Sequence, residues 1–276
     1  MGIKGAQAAP TRERPLELFG RVAIVTGAGK GIGRLVSELF AREGARLMLA
    51  GRDASALEPL AARLSEVEGE CRAIAQVCDV TREEDTERLA QRALEEFGRI
   101  DILVNSAGGT GPIETPCHEY PAGEFRSILE LNVVGTFLPC KAAIPSMIEQ
   151  RYGRIVNIAG TSGLRGYRNR SGYSASKWAV RGFTRTLALE VGAYGITVND
   201  VCPNVTHGAR MERIVRAKAE RIGRTPEEVY SDFTAQTALG RFVDEIDVAE
   251  SVLFLASERA RNITGHDIVV DAGWDV

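Results

Sequence analysis

Seven apolar runs punctuate this chain, at Val22–Thr26, Arg46–Ala50, Cys71–Val77, Ile100–Asn105, Arg154–Ile158, Thr197–Cys202 and Asp267–Asp271. Each is short, and several are apolar at consecutive positions, the pattern of a strand buried on both faces. Between them the spacing changes to that of a helix, over Gly33–Glu43, Ser55–Glu68, Glu83–Phe97, Glu124–Gln150 and Gly172–Val191. Thr81 with Glu84 three residues later reads as a capping box opening the third helix. Continuous apolar strands separated by helices predict an α/β protein. Its core would be a doubly wound parallel sheet of seven strands with helices on both faces.

The alternation breaks once. Between the sixth and seventh strands lies a charged helical insert from Ala209 to Gln236. Within it Thr225-Pro226-Glu227-Glu228 supplies an N-cap, a proline at the first helical position and a glutamate at N3, so a second helix starts there. An insert leaving the C-terminal end of a strand stands where open α/β sheets bind ligands, which predicts a lid over residues 206–240. Residues 1–19 read as a flexible arm and 20–276 as a single domain, with no internal repeat.

Composition narrows the function classes. A chain of 276 residues with 44% hydrophobic content supports one large core. A net charge of −3 gives no general attraction to nucleic acid or an anionic membrane, so neither is expected as a partner. No apolar stretch approaches the roughly 20 residues of a membrane span, and the N-terminus lacks a secretory h-region. The five cysteines show no C-x-x-C and no His/Cys ligand spacing; no metal is expected, and Cys71, Cys78 and Cys202 read as buried thiols of a cytoplasmic protein.

Two motifs carry the candidate chemistry. The first apolar run ends in Gly27-Ala28-Gly29-Lys30-Gly31-Ile32-Gly33 and a helical pattern follows. Strand, glycine turn and helix bring backbone amides and a helix N-terminus up to a pyrophosphate. The spacing is Gly-x-x-x-Gly-x-Gly, not the common G-x-G-x-x-G. The second motif is Tyr173 with Lys177 four residues on, on one helix face. The cation favours the phenolate and makes the tyrosine a usable acid/base near neutral pH. Of six tyrosines, only Tyr173 has a lysine at that spacing.

Together these motifs resemble the short-chain dehydrogenase/reductase family from about Gly20 to the C-terminus. Further matches occur in family order: Asp79-Val80, Asn105-Ser106-Ala107-Gly108, Asn132, Val198-Asn199, Cys202-Pro203 and Ile263-Thr264-Gly265. The resemblance implies a Rossmann-type fold and an oxidoreductase interconverting a secondary alcohol and a ketone. It implies Tyr173 as general acid/base, Lys177 as holder of the nicotinamide ribose, and Asn132 as the residue positioning a water on the proton path. It implies cofactor contacts at Gly27, Gly29, Lys30, Gly31, Ile32, Gly33, Arg52, Asp79, Val80, Asn105, Ala107, Gly108, Tyr173, Lys177, Pro203 and Thr206. A homotetramer is implied too.

Three departures from the family pattern stand out. The serine expected to polarise the carbonyl falls on Gly160, within Ala159-Gly160-Thr161-Ser162-Gly163. Ser162, or alternatively Thr161, is expected to supply the hydroxyl from a shifted loop; otherwise the chain is a cofactor-binding pseudoenzyme or sensor, or a non-redox acid/base enzyme. The usual Pro-Gly after the sixth strand reads Pro203-Asn204, where asparagine is expected to take a positive φ. The second strand ends at Gly51-Arg52-Asp53 with no acid at the first position beyond it. Arg52 and Lys30 favour the 2′-phosphate of NADP(H), with Asp53 capping the next helix; NAD(H) is the counter-reading. A loop holding Arg165, Arg168 and Arg170, with His207 and Arg210 opening the insert, raises an anionic or strongly polar substrate against a solvated basic loop or an oligomer contact.

Overall fold

The computed structural model describes residues 15–66, 71–274 and 276. Alternation along each strand explains why both faces of the sheet are buried. In β1 (Val22–Thr26), Ala23 and Val25 face one side while Val22 and Ile24 face the other. The same division runs through β2 (Arg46–Gly51) and β4 (Ile102–Asn105). One layer is closed by Val36 and Phe40 of α1 (Gly31–Arg42), Leu57 and Leu64 of α2 (Ala54–Ser65), and Val248 and Val252 of an eventual ninth helix, Glu245–Ala256. The opposite layer is closed by Leu89 of α3 (Glu83–Phe97), Ala143 and Met147 of α5 (Gly135–Glu149), and Leu187 of α6 (Ser171–Val191).

With β3 (Ala73–Val77), β5 (Gly153–Ile158), β6 (Ile196–Pro203) and β7 (Asp267–Val270), the sheet is seven-stranded and wholly parallel, in the order β3-β2-β1-β4-β5-β6-β7. Thr26 pairs with Ala50 and with Asn105, and Asn105 with Asn157. The register therefore brings the C-terminal ends of β1, β2, β4 and β5 to one edge. The strand order reverses between β1 and β4, which opens a crevice there.

The long central helix runs from α4 (Ala122–Leu129) through a π turn at Glu130–Val134 into α5. By length and mean hydropathy (1.3 over its most apolar window), Ala122–Glu149 qualifies as a membrane-crossing helix, contrary to the expectation that no stretch comes close. The apolar positions are interrupted in sequence but continuous along the helix. Within this fold 44% of that window is buried in the protein, as in a core helix.

The insert forms α7 (Ala209–Ile222) and α8 (Pro226–Ala235), the latter opened by the Thr225–Glu228 capping box. They build a small core of their own, with Met211 and Val215 packed around Val205, Val229, Phe242 and Trp274. The Glu245–Ala256 helix, α9, opens on a second capping box from Asp244 and Asp247.

Other expectations shift locally. Thr81 does not cap α3: Arg82 is the N-cap, and the Thr81 hydroxyl donates to Asp79 Oδ1 (2.8 Å) while Asp85 accepts the Asp79 amide (2.9 Å). A short acidic side chain two residues upstream competes for the hydroxyl and closes an Asx turn. The arm expected over 1–19 is held at its end, because Leu18 is buried and the Glu17 amide donates to Glu43. Residues 1–14 of that arm and the expected helix end at Glu68 lie outside the described residues.

Candidate active site

A cleft of about 1920 Å³ opens along the C-terminal edge of the sheet, walled by the glycine turn, the loops after β2, β4, β5 and β6, and α7. At its first end Gly27 (φ 67°) and Gly31 (φ 54°) turn the chain into α1 through left-handed backbone that favours glycine. The N-cap Lys30 makes no side-chain capping bond, and no acid stands in the first turn. The first amides of α1 and its positive dipole end are thus presented to an anion rather than to a cap. Gly33 does not line the cleft; a Cβ there would collide with the Gly27 carbonyl, so its role is to bring the helix against the turn. Thr26 Oγ1 holds the neighbouring loop by accepting from the Ser106 and Ala107 amides (both 3.2 Å).

At the end of β2, Asp53 accepts from the amide (3.0 Å) and hydroxyl (2.6 Å) of Ser55, which hold its carboxyl below the usual carboxylate range. It caps α2, as expected. Arg52 lies exposed on the cleft wall with no hydrogen bond or ion pair to any described residue, and Lys30 is exposed on the same wall. Asp79 and Val80 also line the cleft, as do Ala107 and Gly108. Asn105 does not. Its amide donates to Asn157 Oδ1 (2.9 Å) and Cys140 Sγ (3.2 Å), buried under the loop that reaches the cleft.

Tyr173 and Lys177 share the inward face of α6. The Lys177 ammonium donates to the Ile158 carbonyl (2.7 Å) and stands 5.8 Å from the Tyr173 ring centroid. Burial pushes the phenol up, but the cations of Lys177, Arg210 and Arg170 overcome it, leaving Tyr173 below its ordinary value. Burial also lowers Lys177, partly offset by the phenol. Asn132 sits in the π turn, a backbone irregularity common at functional sites. Its side chain exchanges bonds with Gly109, accepting the amide (2.8 Å) and donating to the carbonyl (3.1 Å), and donates to Ser176 Oγ (2.9 Å). Ser176 in turn donates to the Tyr173 carbonyl (2.7 Å), so one serine ties the π turn to the catalytic helix.

The loop after β5 departs as the sequence indicated. A Cβ on Gly160 would lie 3.6 Å from Tyr173 Oη, in ordinary contact, so this is the position facing the phenol. Its φ of 100° is one that serine does not adopt without strain. The Thr161 hydroxyl is engaged with Tyr167 Oη (3.0 Å), which also accepts from Asn204 Nδ2 (3.0 Å). Ser162 is buried and lines the cleft. Gly163 packs so closely on α6 that a Cβ would meet the Lys177 carbonyl at 2.7 Å.

After β6, the positive φ falls on Val205 (39°) and not on Asn204. Val205 is buried in the insert core and its carbonyl accepts from the Val243 amide (3.0 Å), so packing imposes a conformation that a β-branched residue disfavours. Thr206 and Pro203 line the cleft as expected. His207 is exposed and stacks beside Phe242 (5.2 Å), outside the catalytic set.

Two groups carry more weight here than sequence reasoning gave them. Arg170 is the N-cap of α6, 7% exposed, with its guanidinium 4.8 Å over the Tyr173 ring. Arg210, from the first turn of α7, donates to the Gly108 carbonyl (3.2 Å) and faces the phenol. The sequence flagged both only as members of a basic patch.

A family model described as enoyl-(acyl carrier protein) reductase matches residues 27–275. The chain is 34% identical to (+)-borneol dehydrogenase 2 of Salvia officinalis, covering 99% of this chain and 96% of that protein. The crystal structure of NAD+-bound xylitol dehydrogenase superposes with a TM-score of 0.87 at 33% identity, covering 92% of this chain and 98% of the other. That of an actinorhodin polyketide ketoreductase variant with NADPH gives 0.86 at 34% identity, covering 92% and 97%. With the reversed strand order, the glycine turn and the Tyr173–Lys177 pair at one crevice, the chain belongs to the short-chain dehydrogenase/reductase family of oxidoreductases.

Proposed function

We propose that this protein interconverts a secondary alcohol and a ketone by hydride transfer, using NADP(H). The observation that carries the reading is Tyr173, held below its ordinary pKa by facing cations, on the cleft whose other end is an uncapped helix N-terminus. The chemistry of the donors fits a nicotinamide dinucleotide: the glycine turn from Gly27 to Gly31 and the first amides of α1 for the pyrophosphate, with Lys30 and Arg52 toward a 2′-phosphate. Asp53 caps α2 through Oδ1 and also lines the cleft, so a ribose contact there is the competing NAD(H) reading. The proteins it resembles are named for work on small alcohols and ketones, one with NAD+ and one with NADPH.

When bound, the cofactor supplies or accepts the hydride at the carbinol carbon. In reduction Tyr173 Oη donates a proton to the substrate oxygen; in oxidation the phenolate removes it. Lys177 keeps that proton transfer accessible near neutral pH and stands where the nicotinamide ribose would be held. Asn132, fixed by Gly109 and Ser176, orients the proton path behind it.

Ser162 polarises the substrate oxygen in place of a side chain at Gly160, because the Thr161 hydroxyl is already engaged with Tyr167. Losing one such donor costs about 100- to 1000-fold in kcat. Ser162→Ala with unchanged kcat removes that assignment.

Gly160 favours a second reading, a cofactor-binding sensor on the same fold. Cofactor absorbance with a panel of ketones and alcohols separates the two: turnover supports the enzyme, and binding without turnover the sensor. We further place the enzyme in the cytoplasm as a homotetramer, supported by Phe137, Trp178 and Leu189, which leave apolar surface on α5 and α6 exposed. A monomer mass by light scattering at micromolar concentration contradicts the tetramer.

A further inference from the structure

The loop leading into α6 carries three arginines, and the fold treats them differently. Arg165 and Arg168 are exposed, whereas Arg170 is 7% exposed and lines the cleft directly above the Tyr173 ring. Its Nη1 is buried and has no hydrogen-bond partner among the described residues. The neighbouring carboxylate, Glu114, acts on it only through space, its hydrogen bonds going to Arg221 (2.8 Å) and Asn169 (3.3 Å). The other neighbour, the buried Tyr120 hydroxyl, is neutral. Arg170 is also the N-cap of α6, where the helix dipole opposes a cation. A desolvated guanidinium with no hydrogen-bonded anion at the positive end of a helix works against folding on both counts, and a ligand carboxylate would relieve it.

The surroundings suit such a ligand. Arg210 reaches the same side of Tyr173 from the insert. Of the acids bordering this end of the cleft, Glu245 faces Arg210 electrostatically and Glu124 is exposed. Glu245 lies toward Gly31 and Gly208, and Glu212 is exposed beside Arg216 (3.9 Å).

We propose that Arg170 and Arg210 form a carboxylate subsite beside the reacting carbonyl, so that the substrate is a keto acid or the corresponding hydroxy acid. A planar guanidinium matches a carboxylate through paired N–H donors, and a single buried arginine balances a single negative charge. Arg170 sets specificity by charge; Tyr173 performs the proton transfer. The inference rests on the oxidoreductase reading.

The test compares matched ketones, each as the free carboxylate and as its methyl ester, in kcat/KM with NADPH for the wild type, Arg170→Gln, Arg170→Lys and Arg210→Gln. The wild type is expected to prefer the acid by about 10- to 100-fold, as one charge-assisted contact provides. Arg170→Gln should abolish that ratio and Arg170→Lys restore part of it. Taking the acid-to-ester ratio within each variant cancels any change in Tyr173 itself. Should Arg170→Gln fail to fold, Arg210→Gln on the exposed helix face is expected to lower the ratio alone. Equal kcat/KM for acid and ester in the wild type overturns the subsite while leaving the enzyme reading intact. Absence of NADPH turnover with every ketone, despite binding measured by NADPH fluorescence, overturns the enzyme reading and the subsite with it.

Discussion

The starts of α1 and α6 line one cleft and depart from ordinary helix capping by opposite means. At α1 the chain withholds side chains: glycines at 27, 31 and 33, no capping bond and no acid, leaving the backbone amides and the dipole as the binding surface. At α6 a side chain is imposed, a buried arginine at the position where a helix least tolerates a cation. Three other helices follow the usual rules at their starts. The first turn of α3 holds Glu83, Glu84 and Asp85, and α8 and α9 begin with full capping boxes. The starts of α1 and α6 depart from those rules, and both line the cleft, as expected where function overrides local stability.

The α1 device depends on close approach, so it breaks with one methyl group. Gly33→Ala drives a Cβ into the Gly27 carbonyl, and the turn and helix must separate. The expected loss is about 3 kcal/mol of stability, by chemical denaturation, together with the bulk of NADPH affinity. Wild-type NADPH binding in a folded Gly33→Ala protein contradicts the backbone account.

On the proposed reading, Arg52 selects NADP(H) over NAD(H). Arg52→Ala should raise the KM for NADPH about 10- to 100-fold, the value of a charge-assisted contact to phosphate, and leave the KM for NADH nearly unchanged. An equal effect on both cofactors, or a wild-type preference for NADH, sinks the NADP(H) assignment.

The α6 device is sharpened by pH. Tyr173 lies below its ordinary pKa, so alcohol oxidation, which needs the phenolate, should rise with pH and level off below the pH at which a free phenol ionises. Removing a facing cation raises that pKa, so Arg170→Gln should move the rising limb to more alkaline pH. An unshifted limb means that Arg170 is not electrostatically coupled to the phenol.

The sheet was legible because its signal is redundant: both faces of the central strands are buried, and the apolar runs mark all seven strands within two residues. The glycine turn and the Tyr173–Lys177 pair were legible because their spacing is their geometry. What the sequence did not disclose depends on competition between neighbours or on tertiary packing. Thr81 had two acids within reach and bonded the nearer one, Asp79. Packing of the insert core placed the positive φ on Val205 when residue preference pointed to Asn204. Three arginines in one loop look alike in sequence, and only the fold buries Arg170. Asn105 fits the family's pattern but holds the loop from behind, away from the cleft wall.

The central claim is that this cleft passes a hydride between NADP(H) and a carbonyl carbon while Tyr173 handles the proton. Single-turnover reduction with NADPH deuterated at its transferable position, read by mass spectrometry of the product, tests it most directly. The account predicts one deuterium on the carbinol carbon with wild-type protein, and a rate lower by about 100- to 10,000-fold in Tyr173→Phe with NADPH affinity retained. Product formed without deuterium, or a Tyr173→Phe rate equal to wild type, contradicts it.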